Sequence, residues 1–201
     1  MSETDDKKEL TRAERIFVRI SIIQTILAVT GFFVGIIALF AALNEADAVR
    51  KQQMASVWPY AYMRTVNYGT EGEEKFEVIV GNRGIGPARI QTVEVTLDDQ
   101  VMLSWGQILR EIAGEQSFGI SSNRLNGTVL APGEDILAFA VDAENASLEI
   151  VEETRALVRS GRVNMKICYC SVFNDCWQVN GAAEETVPVK ACEKTDPKNS
   201  I

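Results

Sequence analysis

The sequence predicts a mainly β domain, two packed sheets with helical insertions, carried behind one N-terminal transmembrane helix. Three observations predict it. Residues 20–44 contain no charged side chain. Short segments of alternating apolar and polar residues, separated by turn signals, run from Val57 onward. All four cysteines, Cys168, Cys170, Cys176 and Cys192, fall late in the chain. With 46% hydrophobic and 24% charged residues among 201, there is material for a real core, and a fully disordered polymer is excluded.

Composition also excludes function classes. The net charge is -8 and no run of Lys or Arg exceeds a pair, whereas neutralising phosphates needs a basic stripe, so nucleic acid is not an expected partner. The chain has no histidine. Histidine is the commonest general base near neutral pH and the commonest transition-metal ligand. Histidine-dependent serine or cysteine triads and HExxH zinc sites are therefore impossible. Acidic pairs such as Asp98/Asp99 and Glu152/Glu153 are indistinguishable from solvated surface runs. The expectation is a non-enzymatic protein with no catalytic residues, cofactor or metal.

Residues 1–19 form a polar tail holding Lys7, Lys8, Arg12, Arg15 and Arg19. Residues 20–44 follow as a helix of roughly 37 Å, enough to cross a hydrocarbon core of about 30 Å. A soluble helix of this length shows a polar face, and this one has none. "ADA" at Ala46 to Ala48 resembles a cleavage site, yet a signal h-region has about 7 to 15 residues, so the segment reads as an uncleaved anchor. Five basic residues precede it and only Arg50 and Lys51 closely follow, which places the N-terminus in the cytoplasm and everything after Asn44 outside.

Gln24, Ala28, Gly31, Gly35, Ala38 and Ala42 line one stripe of this helix. Small residues let lipid-embedded backbones approach closely, and Gln24 adds a polar contact. The stripe fits a homodimer or a partner membrane helix; small residues are also simply common in membrane spans. Residues 45–56, rich in helix formers, extend the helix as a juxtamembrane linker. Trp58, Tyr60 and Tyr62 then belong to the first strand of the next domain or to an interfacial belt.

Within residues 57–192, "KFEVIVGN" alternates through Phe76, Val78 and Val80. "ARIQTVEVTL" alternates through Ile90, Val93, Val95 and Leu97 with one slip, and "DILAFAVD" follows an "APGED" turn. Two helices interrupt the strands. "SWGQILREIAG" sets Trp105, Ile108, Leu109 and Ile112 on one face, and "ASLEIVEETRALVRSG" does so with Ile150, Val151, Leu157 and Val158. Both are expected to cover sheet ends or an open edge. The glycines of "VGNRGIGPARI" lack phosphate-loop spacing, Pro87 removes a donor and a strand follows. Gly81, Gly84 and Gly86 are expected to supply positive φ at a bulge or sheet crossing.

The order of "WPY" at Trp58, "GNRGIGPARI" from Gly81 and "YCSVFNDCW" from Tyr169, behind one anchor, resembles a group of uncharacterised bacterial single-pass membrane proteins. The Asn-x-Gly-x-Gly-Pro-Ala element is similar to the strand crossing of bacterial immunoglobulin-like surface domains. The resemblance implies an immunoglobulin-like β-sandwich on the periplasmic side of a bacterial inner membrane. It brings no activity, ligand or catalytic residue.

Cys168 and Cys170 lie two apart on a strand, sharing a face but too far apart to bond readily to each other. With a three-residue loop Phe173-Asn174-Asp175, Cys176 shares their face and a Cys170–Cys176 bond is within reach, leaving Cys192 to tie the tail to Cys168. With a two-residue Asn174-Asp175 turn the faces swap and that pairing fails. Zinc sites favour C-x-x-C knuckles and redox centres a βαβ unit, both absent. Disulfides suit the oxidising compartment. The two sequons at Asn126 and Asn145 read as chance, and residues 193–201 as a disordered tail. The functional expectation is a membrane-anchored interaction domain; the alternatives are an accessory subunit recognised through its transmembrane helix and a histidine-free enzyme.

Overall fold

The structure, a computed structural model, describes residues 12–70, 73–181 and 185–193. The first eleven residues and the tail after Glu193, both expected to be polar appendages, lie outside the described residues. The chain divides into two units, Met1–Gln52 and Gln53–Ile201, taken separately below.

The first unit carries α1, Arg12–Ser56, a helix of 45 residues that buries no side chain and runs on into the second unit. Among the described residues it is the one helix long and apolar enough to cross a membrane, as a single-pass anchor or a signal sequence would. It starts eight residues before the uncharged segment. Ala13, Glu14 and Arg15 are compatible with a first turn, and Glu14 suits the positive end of the helix dipole.

The second unit holds β1 (Ala61–Tyr68), β2 (Lys75–Asn82), β3 (Ala88–Leu97), β4 (Gln100–Met102), α2 (Trp105–Ala113), β5 (Ser121–Ser122) and β6 (Val129–Leu130). After them come β7 (Asp135–Asp142), α3 (Leu148–Arg159), β8 (Val163–Cys170), β9 (Cys176–Asn180) and β10 (Glu185–Val189). One antiparallel sheet runs β1-β2-β7-β5. The other runs β10-β9-β8-β3-β4, with β6 also on β3. Alternation decides what each buries: Phe76, Val78 and Val80 from β2 and Ile167 and Tyr169 from β8 enter one shared core. The slip in the apolar pattern of β3 is a register shift between Ile90 and Thr92 against β8. An extra residue there restores the apolar face after the irregularity.

Serines start both shorter helices. The Ser104 hydroxyl accepts the N–H of Gln107, and that of Ser147 accepts the N–H of Ile150, each satisfying a donor that the first turn leaves unpaired. α2 covers the end strand β4 as expected, while α3 does more than cover an edge. α3 packs on β2 and β7 of one sheet and on β8 of the other, and α2 on α3 and β4. Trp105 stacks on Phe139 with ring centroids 4.3 Å apart.

The passage from the first sheet to the second, residues 83–87, differs from expectation. None of Gly81, Gly84 and Gly86 has positive φ. Their role is close approach. A Cβ on Gly84 would overlap the backbone of Trp58 and Tyr60, and one on Gly86 the backbone of Val57, so only glycine lets the crossing lie against the segment that enters β1. Asn82, fully buried, binds the two together. Its Oδ1 accepts the N–H of Tyr60 (3.1 Å) and Gly84 (3.0 Å), and its Nδ2 donates to the carbonyls of Gly86 (2.8 Å) and Leu130 (3.1 Å).

A candidate binding trough along a free sheet edge

Among the described residues β1 ends its sheet and pairs with β2 alone, residue for residue from Ala61↔Asn82 to Tyr68↔Lys75. The backbone directions follow from two bonds. The N–H of Arg83 donates to the Tyr60 carbonyl at 2.9 Å, while the N–H of Asn82 turns away from β1 to Glu134. In an antiparallel ladder the bonded and non-bonded pairs alternate. Tyr62, Arg64 and Val66 therefore face β2 with their backbone groups, and Ala61, Met63, Thr65 and Asn67 turn theirs outward. Their side chains point inward, opposite Val80, Val78 and Phe76.

Beside that edge lies open space between the sheets. A hollow of about 220 Å³ lies along Tyr60–Met63 opposite Val179, Asn180 and Thr186. It shares Met63 and Gly181 with a cavity of about 400 Å³ bounded by Thr65, Trp105, Arg159 and Met165. Met63 and Gly181, in contact with each other, stand between the two hollows, and the pair of hollows beneath β1 is the trough. Trp105 is buried and its Nε1 has no hydrogen-bond partner among the described residues. Among the described residues, two arginines, Arg64 and Arg159, and no acidic residue line the larger cavity.

On the outer face of β1, the Tyr62 hydroxyl donates to Asp135 Oδ1 at 2.7 Å and Arg64 reaches Oδ2 at 3.4 Å. The Tyr62 bond, then Arg64, hold the Asp135 carboxyl below its usual range. Arg64 is thereby engaged away from the trough. Arg159, on the last turn of α3, is exposed and makes none of the salt bridges among the described residues.

The cysteines lie elsewhere, on the far face of the second sheet. On β8 the odd residues Ile167 and Tyr169 fill the core, so Cys168 and Cys170 face outward. Cys168 is bonded to Cys192, with Cα atoms 5.6 Å apart, and Cys170 to Cys176, at 4.0 Å. The connecting loop, Ser171 to Asp175, has five residues rather than three. Its odd length puts Cys170 directly opposite Cys176. The Ser171 hydroxyl holds the loop by accepting from the N–H groups of Phe173 and Asp175, and Asn174 takes positive φ. The two bridges touch, Cys170 Sγ lying 3.7 Å from Cys192 Sγ.

The stripe of Gln24, Ala28, Gly31, Gly35, Ala38 and Ala42 lies on exposed α1, and a Cβ on Gly31 or Gly35 would meet nothing within 4 Å. Trough and cysteine cluster share no lining residue. Sequence reasoning missed the trough and Asn82. The trough had no local signal because an edge is defined by strand order; Asn82 had one, as a polar residue amid glycines and apolar positions.

No family model matches this chain, and neither the curated proteins nor the solved structures provide a match.

Proposed function

We propose that this chain is a membrane-anchored, non-enzymatic interaction domain, held outside the cytoplasm of a bacterial envelope, that binds a partner protein through the trough along β1. The observation that carries the reading is the eight-residue edge β1 lying open beside that trough. Sheets that have no use for such an edge cover, shorten or break it.

An immunoglobulin-like sandwich is the fold that suits this reading. In immunoglobulin domains one sheet runs A-B-E-D and the other C-F-G. Taking β1, β2, β7 and β5 as A, B, E and D, and β3, β8 and β9 as C, F and G, the strand order here follows that plan in both sheets and along the chain. β4, β6, β10 and the two helices are then additions. α1 serves as the uncleaved anchor and the basic N-terminal flank sets its direction.

The test is a photo-reactive amino acid at Thr65 in the full chain, irradiated in native membranes. A discrete adduct from Thr65, absent when the probe sits at exposed Asp99, is the expected result. A second reading, an accessory subunit recognised through its helix, is favoured by the exposed stripe of α1. Adducts from Ala38 and none from Thr65 would replace the first reading with the second.

A further inference from the structure

We propose that the occupant of the trough is an extended acidic segment of another protein, which adds to the first sheet as a strand beside β1 and places a carboxylate on Arg159. The inference rests on the trough being the binding surface and specifies what fills it.

The four sheet ends differ in a way that singles out β1. β5 has two residues and β4 three, too short to template a partner. β10 has five and carries Pro188, which lacks the N–H a ladder needs. β1 has eight residues, no proline, and an unbroken register with β2. Ala61 is buried with its N–H turned to the Tyr169 hydroxyl, so the outward residues open to a partner are Met63, Thr65 and Asn67, which present alternating donors and acceptors over roughly 13 Å. A ladder of this kind is matched by an extended backbone, whereas a helix satisfies its backbone groups internally.

The opposite sheet fits the same occupant. β1 touches β9, and β10 continues that sheet one strand further. Register with β9 gives Thr186 and Pro188 of β10 the same face as the buried Val179 and the half-buried Trp177. A strand added beside β1 would therefore have its inner side chains over β10 and the trough, with a protein surface beneath them rather than water.

Charge selects among extended segments. Among the described residues the larger cavity has no carboxylate in its lining, Arg64 is engaged by Asp135, and Arg159 is the cation left for a ligand. The chain as a whole is acidic, at -8, so an acidic segment gains no long-range attraction. Recognition has to come from contact with this one guanidinium, within a screening length of about 8 Å. Arginine suits the task because its planar fork pairs with both oxygens of a carboxylate.

The experiment selects a random heptapeptide phage library on the full chain in lipid nanodiscs, with empty nanodiscs as counter-selection. Enriched peptides should combine β-branched residues with Asp or Glu and lack central proline. Thr65→Pro removes one outward N–H and leaves the β2 ladder intact; it should weaken the selected peptides at least ten-fold by fluorescence anisotropy. Arg159→Glu should weaken them several-fold, and binding should return when lysine replaces the peptide's acid. N-methylating alternate peptide residues should abolish binding to the unaltered protein, which decides the matter even if Thr65→Pro does not fold. No enrichment, or equal binding of the N-methylated peptides, overturns strand addition. If Thr65 still gives an adduct in membranes, the anchored-binding reading survives that failure. Loss of a dimer by Thr65→Pro, with no peptide selected, would make a second copy of the chain the occupant and overturn the proposal.

Discussion

Asn82 Oδ1 accepts the backbone N–H of Tyr60 at 3.1 Å across 22 residues of sequence, fastening the chain just ahead of β1 to the crossing between the sheets. The same amide satisfies three further backbone groups, on Gly84, Gly86 and Leu130. Asn82→Ala would leave all four without that partner, and an unsatisfied buried group costs about 1 to 3 kcal/mol. We expect a loss of about 3 kcal/mol or more, read as a lower urea midpoint at unchanged slope. A loss under about 1 kcal/mol would show that the clamp is dispensable.

Tyr169 gives the opposite expectation. Its hydroxyl is buried, with the backbone N–H of Ala61 close by but outside good hydrogen-bond geometry and no other partner among the described residues, and burial pushes its pKa up to about 12. Tyr169→Phe removes a poorly satisfied polar atom and should leave stability unchanged or raise it. The folded pKa lies above the unfolded value of about 10. The contribution is therefore fully present below pH 10 and is lost as pH rises from about 10 to about 12, because only the unfolded chain releases the proton there. The variant should show a shallower alkaline decline; an identical decline would assign it to other groups.

The two bridges differ in the chain they enclose, 6 residues of separation for Cys170–Cys176 and 24 for Cys168–Cys192. Loop-closure entropy assigns them about 2 and about 3.5 kcal/mol respectively. Denatured protein isolated without reductant should show no free thiol, and reduction should lower the unfolding midpoint. Cys192→Ser should expose Cys168. Cys176→Ser should expose Cys170, and its 3.7 Å contact with Cys192 lets the freed thiolate attack there and release Cys168. Acid-quenched peptide mapping should find the label on both Cys170 and Cys168; four reactive thiols in the unreduced native sequence would contradict the bridges.

Orientation is open to a direct test. With the basic residues ahead of α1 on the cytoplasmic side, a reporter fused after Ile201 that works only outside the cytoplasm should be active, and a cytoplasm-only reporter silent. The reverse pattern would place the cysteines in a reducing compartment.

If the small-residue stripe mediates association, Gly31→Ile with Gly35→Ile should reduce the signal of a membrane two-hybrid assay, because branched side chains block backbone approach. An unchanged signal would leave the glycines as ordinary constituents of a membrane span.

Local pattern carried much of the fold. β2 was legible because Phe76, Val78 and Val80 alternate, the irregularity of β3 because one residue breaks its alternation, and α2 and α3 because their apolar faces follow a serine cap. What escaped depends on distant partners. The glycines of the crossing look like turn residues until Val57 and Trp58 are seen lying against them, and the face shared by Cys170 and Cys176 turns on the parity of a loop whose length the sequence does not state. β5 and β6, two residues each, are too short to have a period. The trough follows from strand order alone.

The entry of α1 into the second unit has a mechanical consequence. The chain leaves α1 at Ser56 and reaches β1 within five residues, so if α1 is a membrane anchor, tension on it arrives at Ala61. Before it reaches the ladder it crosses the Asn82 clamp and the bonds from Ile85 and Gly86 to the Trp58 carbonyl. Beyond them, β1 is held by eight residue pairs along its length. Pulled along its own axis, the strand would load those pairs together rather than opening them one at a time.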